Sequence, residues 1–123
     1  MKKIQNLIIL ATIPILVFGC SKPCPYGQKT EIRNISTKET VILTKMPSKG
    51  NIYGIKIKIS GKIEGESKIS LILNDEEYKT NRLNGNFSFI WGGDWYADTA
   101  KIIYEPINAK NGNIFIEYEF EDI

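Results

Sequence analysis

Residues 91–98, WGGDWYAD, gather the side chains best suited to contacting a ligand. Both tryptophans of the chain lie here, with Tyr96 beside them and Asp94 and Asp98 close by. Aromatic rings with a polar edge stack on sugars and bury well at protein interfaces, and carboxylates accept hydrogen bonds from hydroxyl groups. The segment predicts a carbohydrate- or protein-contact loop that uses these two acids, Trp95 and Tyr96. The alternative is that both indoles are structural, one continuing a buried strand face and Trp95 covering the open end of the fold.

Catalytic chemistry finds little support in the residue types. The chain has no histidine, which removes the commonest general base and transition-metal ligand and excludes Ser-His-Asp and Cys-His catalysis. Carboxylates lie close together at positions 94 and 98 and at positions 75–77, but their spacing is not that of an acid–base pair or of an EF-hand loop. No glycine-rich phosphate loop is present in the sequence. The sequence therefore predicts no enzymatic activity, no catalytic residue, no cofactor and no metal site.

The first twenty residues have the layout of an export signal. A basic head, Met1-Lys2-Lys3, precedes a twelve-residue apolar run at 7–18, which ends at Gly19 and Cys20. A charged start, an apolar segment of this length and a small residue before the cut are typical of a secretory signal peptide. The run is shorter than the roughly 20 apolar residues that a transmembrane helix needs.

The four residues Val17-Phe18-Gly19-Cys20 resemble the lipobox of bacterial lipoproteins. The resemblance covers only this N-terminal segment. It implies that the Cys20 sulfur receives a diacylglyceryl group, that residues 1–19 are removed as a signal peptide, and that the new amine of Cys20 is often acylated as well, with palmitate for example. Two acyl chains anchor a protein stably, because each buried methylene contributes about 0.8 kcal/mol. The alternative is an ordinary signal peptide, or an uncleaved anchor, with an incidental cysteine.

The resemblance also implies an exported protein anchored to a bacterial membrane. Ser21 follows the cysteine, and in a Gram-negative cell serine at this place favours the outer membrane. Cys24 then has no partner within its own chain and is expected to be a free thiol or to pair with another molecule. A disulfide between Cys20 and Cys24 would require that lipidation fails.

Residues 20–30 are predicted to form a tether, since they carry two prolines and small polar residues. From residue 31 to 123 short alternating segments predict an all-β domain, an antiparallel β-sandwich of about seven strands that is Ig-like or jelly-roll-like. A closed barrel is the alternative. The predicted strands lie near 39–45, 51–63, 68–74, 77–80, 87–91, 99–105 and 113–121, with turns at 64–67, 74–75, 84–85 and 111–112.

Charge is balanced in the body of the chain but unevenly distributed. The formal net charge is +2, and Lys2 and Lys3 account for it, so the remainder has no concentrated basic surface of the kind that nucleic acid requires. Residues 20–68 hold ten basic and four acidic side chains, whereas residues 69–123 hold four basic and ten acidic ones. The sequence therefore predicts no nucleic-acid partner.

Two charged rows lie on the outward positions of predicted strands. One consists of Lys56, Lys58 and Lys62, and the other of the glutamates at 117, 119 and 121. Opposite charges stabilise neighbouring strands, so we predict that these two strands pair. The lysine row is expected either to face anionic lipid or cell-wall polymer, or to be a solvated surface that resists aggregation.

Together these patterns predict a membrane-anchored bacterial envelope lipoprotein with a small, non-enzymatic β-sandwich. Its expected partners are the lipid bilayer, through acylated Cys20, and another envelope protein that the domain binds or supports. One alternative is a cell-wall glycan or carbohydrate-binding module that uses Trp95 and Tyr96. Another alternative is an inhibitor or immunity-type lipoprotein. The exposure of Trp95 separates the first two possibilities, because a buried indole offers no stacking face.

Overall fold

The computed structural model describes residues 25–123. The predicted signal peptide at 1–19, the predicted lipidation site Cys20, and also Ser21 and Cys24 lie outside the described residues, and the predictions made for them stand as predictions. Within residues 25–123 no helix is long and apolar enough to cross a membrane.

Six strands form the described part of the chain, where about seven were predicted. Period-two alternation of apolar and polar residues produces them, since successive side chains of a strand point to opposite faces. The strands are β1 (Gln28–Ile32), β2 (Glu39–Thr44), β3 (Ile52–Leu73), β4 (Glu76–Asp94), β5 (Thr99–Pro106) and β6 (Gly112–Asp122). The all-β antiparallel prediction is confirmed.

The two longest strands, β3 and β4, organise the whole sheet. They form one hairpin and pair with each other along nearly their full length. On its other side, the first half of β3 pairs with β6 and the second half pairs with β5. β1 then adds to β6, and β2 adds to β5. The result is two four-stranded layers that share β3 and β4.

The hairpin bends sharply, so that one layer folds over the other. The Trp91 indole donates a hydrogen bond of 2.8 Å to the side-chain oxygen of Asn81 on the same strand. Ten residues of straight strand would span about 33 Å, so β4 must turn back on itself between these residues. At the opposite edge, the Gln28 side chain of β1 donates to the Thr44 carbonyl of β2 at 2.9 Å. These contacts close the curled sheet into a sandwich.

One hydrophobic core fills the space between the layers. Inward-facing isoleucines of β3 and β6 meet Ile102 and Tyr104 of β5, and all of them are buried. The Tyr104 hydroxyl donates a hydrogen bond of 2.6 Å to the carbonyl of Ile35 in the β1–β2 connection. This bond satisfies a polar group inside the core and fixes the connection against it.

The predicted turns at 64–67 and 84–85 are wrong, because both segments lie inside strands. Residues 64 and 65 are extra residues of β3, where the pairing register shifts between Ile63 and Glu66, and Gly85 lies opposite Ile63 in β4. The chain bends here without reversing. The dipeptide at 111–112 lies at the start of β6, whose first residue is Gly112, but β5 and β6 both pair with β3 instead of forming a hairpin.

Other predictions of local structure are confirmed. Asn74 and Asp75 turn the chain between β3 and β4 with positive φ angles of 54° and 65°. The lysine and glutamate rows lie on neighbouring strands, as predicted, with Lys58 opposite Glu117 in the β3–β6 register. β1 begins at Gln28, so residues 28–30 of the predicted tether lie in this strand.

Candidate binding site

Residues 91–98 lie at the end of the sandwich opposite the bend, which we call the open end. Because the hairpin is bent, both ends of β3, at Ile52 and Leu73, lie here, and so do both ends of β4, at Glu76 and Asp94. The chain then forms a four-residue loop before β5 begins at Thr99. The amide of Trp95 donates to the Tyr53 carbonyl at 3.1 Å and holds this loop against the start of β3.

Both tryptophans are structural. Trp91 is buried on the inner face of β4, and Trp95 is only 4% exposed. The indole N–H of Trp95 donates to the Thr99 carbonyl at 2.9 Å, so its polar edge is engaged within the protein. Trp95 therefore covers the open end of the sandwich, and the expectation that it offers an exposed stacking face is not met.

The exposed aromatic group of the loop is Tyr96, whose side chain is 77% exposed. It borders a cleft of about 420 Å³ that is lined by Leu73, Tyr78, Asp94, Trp95, Tyr96 and Ala97. Leu73 ends β3, and Tyr78 lies near the start of β4. Two segments that are distant in sequence, 73–78 and 94–97, thus meet because the β3–β4 hairpin folds back and returns its two ends to one place.

Tyr78 is a cleft residue that the sequence analysis missed. It is 45% exposed, and the Lys79 ammonium lies 4.9 Å from the centre of its ring. The sequence predicted only a short strand at 77–80. The sequence did offer one signal for Tyr78: it is a large aromatic residue near the turn at 74–75, in a segment otherwise rich in charged residues.

The two predicted acids have different environments. Asp94 lines the cleft, and its carboxylate forms no ion pair or hydrogen bond within residues 25–123. Asp98 is directed to other contacts: its carboxylate lies 3.7 Å from the Lys45 ammonium, and its carbonyl accepts a hydrogen bond from the Lys45 amide. Of the four predicted contact residues, only Asp94 and Tyr96 remain as exposed groups at the cleft.

The described residues contain no group of three or more cysteine or acidic side chains that could hold a metal ion. The cleft instead combines two phenol rings, a leucine and one carboxylate. Such a surface can bury apolar groups and accept hydrogen bonds.

Comparisons with known proteins give little to add. No protein-family model matches the chain, and no curated protein does. A solved structure described as "CBM4 structure and function" is similar at a TM-score of 0.43 and 11% sequence identity, over 76% of this chain and 71% of that one. A similarity this weak carries no argument about the ligand of this chain.

Proposed function

We propose that this chain is a lipid-anchored bacterial envelope protein whose β-sandwich binds another envelope protein through the cleft at the open end. The observation that carries the proposal is the pairing of two exposed tyrosines around Leu73 at the end of β3: Tyr78 near the start of β4, and Tyr96 in the loop that follows β4. Tyrosine is enriched among the residues that dominate interface energetics. The β3–β4 pairing beside Tyr78 and the hydrogen bond of the Trp95 amide beside Tyr96 hold both backbone positions in place, which limits the entropy lost on binding.

A protein partner is favoured over a glycan at this cleft. Stacking on sugar needs an open ring face, and Trp95, the residue best suited to it, is buried. The cleft carries the carboxylate of Asp94, and two further exposed acids adjoin it, Asp75 in the β3–β4 turn and Glu76 at the start of β4. A partner with an apolar side chain flanked by a basic residue fits this arrangement by charge.

The lipobox resemblance supports a lipid anchor at Cys20. The short segment after Cys20 then limits the distance between the anchor and the β-sandwich. β1 begins at Gln28, eight positions after Cys20. A fully extended chain spans at most 3.3–3.6 Å per residue, so the anchor point is at most about 29 Å from β1. The proposed partner must therefore present its binding surface close to the membrane.

Site-directed photo-crosslinking tests the partner proposal. A photoreactive phenylalanine derivative replaces Tyr96 in the full chain, in its native envelope. The matched control carries the same group at Ile42, an exposed residue of β2 outside the cleft. We expect a discrete protein adduct from position 96 that is weakened by Tyr78→Ala, and no adduct of that mass from position 42. The same adduct from both positions, or none from position 96, would contradict the proposal.

Mass spectrometry of the native N-terminus tests the anchor separately. We expect a chain that begins at Cys20 and carries a diacylglyceryl group, and we expect Cys20→Ser to release the protein from membranes. An N-terminus that retains residues 1–19, or an unmodified Cys20 thiol, would refute the lipoprotein proposal while leaving the cleft proposal standing.

A further inference from the structure

A second candidate site lies on the outer face of the layer that contains β1 and β6. Phe115 of β6 is 46% exposed there, in register with Glu31 of β1 and with Ser60 of β3. It borders two concavities of about 310 Å³ and about 710 Å³. The ring therefore lies between two hollows.

The lining of the two hollows is balanced in charge and rich in planar polar groups. The smaller hollow adds one lysine and one glutamate, and the larger adds two basic and two acidic side chains. Excluding Phe115, the polar and charged lining residues are Lys62, Glu64, Asn111 and Asn113 on one side, and Lys29, Thr30, Glu31, Arg33, Asn34 and Glu39 on the other. Three cations face three carboxylates, so no strong field favours an ionic ligand.

Hydrogen bonds between these side chains fix their positions before any ligand arrives. The Glu31 carboxylate accepts a hydrogen bond of 2.6 Å from the Asn113 side-chain amide and one of 3.1 Å from the Arg33 guanidinium. In the smaller hollow, the Asn111 amide donates to Glu64 at 2.9 Å. Arg33 engages only its Nε in this contact and its side chain is 81% exposed, so its remaining N–H groups face solvent.

We propose that this face binds an uncharged oligosaccharide, with one sugar ring stacked on Phe115 and its neighbours in the two hollows. A pyranose has an apolar face that packs on an aromatic ring, and its hydroxyls both donate and accept hydrogen bonds. The lining offers donors and acceptors on each side of the ring and has no net charge. Because hollows lie on both sides of one ring, the ligand must be longer than a single sugar.

The proposed site is separate from the cleft. Phe115 pairs with Ser60, close to the bend, whereas the cleft lies at the open end. Phe115 also points out of the sandwich, so its replacement removes no core contact. The two sites can therefore be altered independently, and the sugar proposal does not depend on the protein-partner proposal.

Calorimetric titration of the full chain in mild detergent tests the proposal. The probes are the neutral tetrasaccharides of cellulose, chitin and starch, with glucose and a hyaluronan tetrasaccharide as the single-sugar and anionic comparisons. We expect saturable binding of at least one neutral tetrasaccharide, weaker binding of glucose, and no preference for the anionic probe. Phe115→Ala should weaken binding by about tenfold or more, Phe115→Trp should retain it, and Tyr96→Ala should leave it unchanged.

Three results would overturn the proposal. The first is no heat of binding for any neutral tetrasaccharide at about 10 mM. The second is equal affinity for the Phe115→Ala variant, whose fold is checked by circular dichroism and tryptophan emission. The third is tighter binding of the hyaluronan probe, which would assign the face to an anionic ligand.

Discussion

Replacing Gly112 by alanine should separate two strands at the bend of the sandwich. Gly112 begins β6 directly opposite Ile63 of β3, and its φ is +131°. A Cβ at this position would overlap the backbone of β3, meeting the carbonyl oxygen of Lys62 and lying 2.8 Å from the Cα of Ile63. Backbone atoms of a paired strand cannot move aside as a flexible side chain can.

The expected cost follows from two contributions. A non-glycine residue in such a region of φ costs about 1–3 kcal/mol, and the overlap forces β3 and β6 apart where their ladder ends. We expect Gly112→Ala to lower the free energy of unfolding by about 3–5 kcal/mol, a large share of the total for a small domain. Gly85 is the matched control, because its φ is also positive at +63° but a Cβ there meets no atom within 4 Å. Gly85→Ala should cost only about 1 kcal/mol.

Urea denaturation followed by tryptophan emission measures both variants, since both indoles are buried and report unfolding. The fitted slope against urea should stay constant, so that a shift of the midpoint reports stability alone. Equal losses for Gly112→Ala and Gly85→Ala would refute the reasoning, because the close approach of β6 to β3 would then have no energetic role.

Three further predictions concern single hydrogen bonds and burial. Tyr104→Phe should cost about 1–3 kcal/mol in urea denaturation, because the buried carbonyl of Ile35 loses its donor; a change near zero would mean that this bond contributes nothing. The Gly50 amide, at 2.6 Å, holds the pKa of Asp122 below its ordinary value of 3.8. This stabilisation is complete above that value and is lost as the pH falls through the lower folded-state pKa, so wild type and Asp122→Asn should converge in stability in acid; a constant difference down to low pH would contradict this. The emission of Trp95, measured in a variant whose other tryptophan is phenylalanine, should resist quenching by iodide, and quenching as efficient as that of free tryptophan would show an exposed indole.

Much of the fold follows from local pattern. The alternation of Ile55, Ile57 and Ile59 with polar residues is enough to predict a half-buried strand, and opposite charge on two strands was enough to predict that β3 and β6 pair. These inferences held because side-chain period and cross-strand charge act directly on the elements concerned. No long-range information was needed.

The turns at 64–67 and 84–85 were misassigned for a physical reason. Asn84-Gly85 is a strong reversal signal in a hairpin, but the same conformational freedom also serves a strand that bends. Gly65 and Gly85 both have positive φ angles, +91° and +63°, and they lie where the register of β3 against β4 shifts. Sequence alone does not say whether such a glycine reverses the chain or kinks it.

The cleft could be predicted only in part. Asp94 and Tyr96 were found because they lie in one conspicuous segment. Leu73 and Tyr78 reach the same place only through the fold-back of the hairpin, which no local pattern contains. Phe115 was predicted only as one residue of the last strand, and its surroundings come from β1, β2 and β3.

The sharing of β3 and β4 by both layers has a consequence for how the domain opens. In many two-layer proteins one sheet can loosen while the other persists, since few covalent elements join them. Here each layer contains half of the same two strands. When β3 and β4 separate in one layer, the strands with which the other layer pairs are therefore weakened as well. The amide protons of β3 that are hydrogen-bonded to its neighbouring strands should therefore exchange only by global unfolding, which would make the domain resistant to proteases that act on partly opened chains.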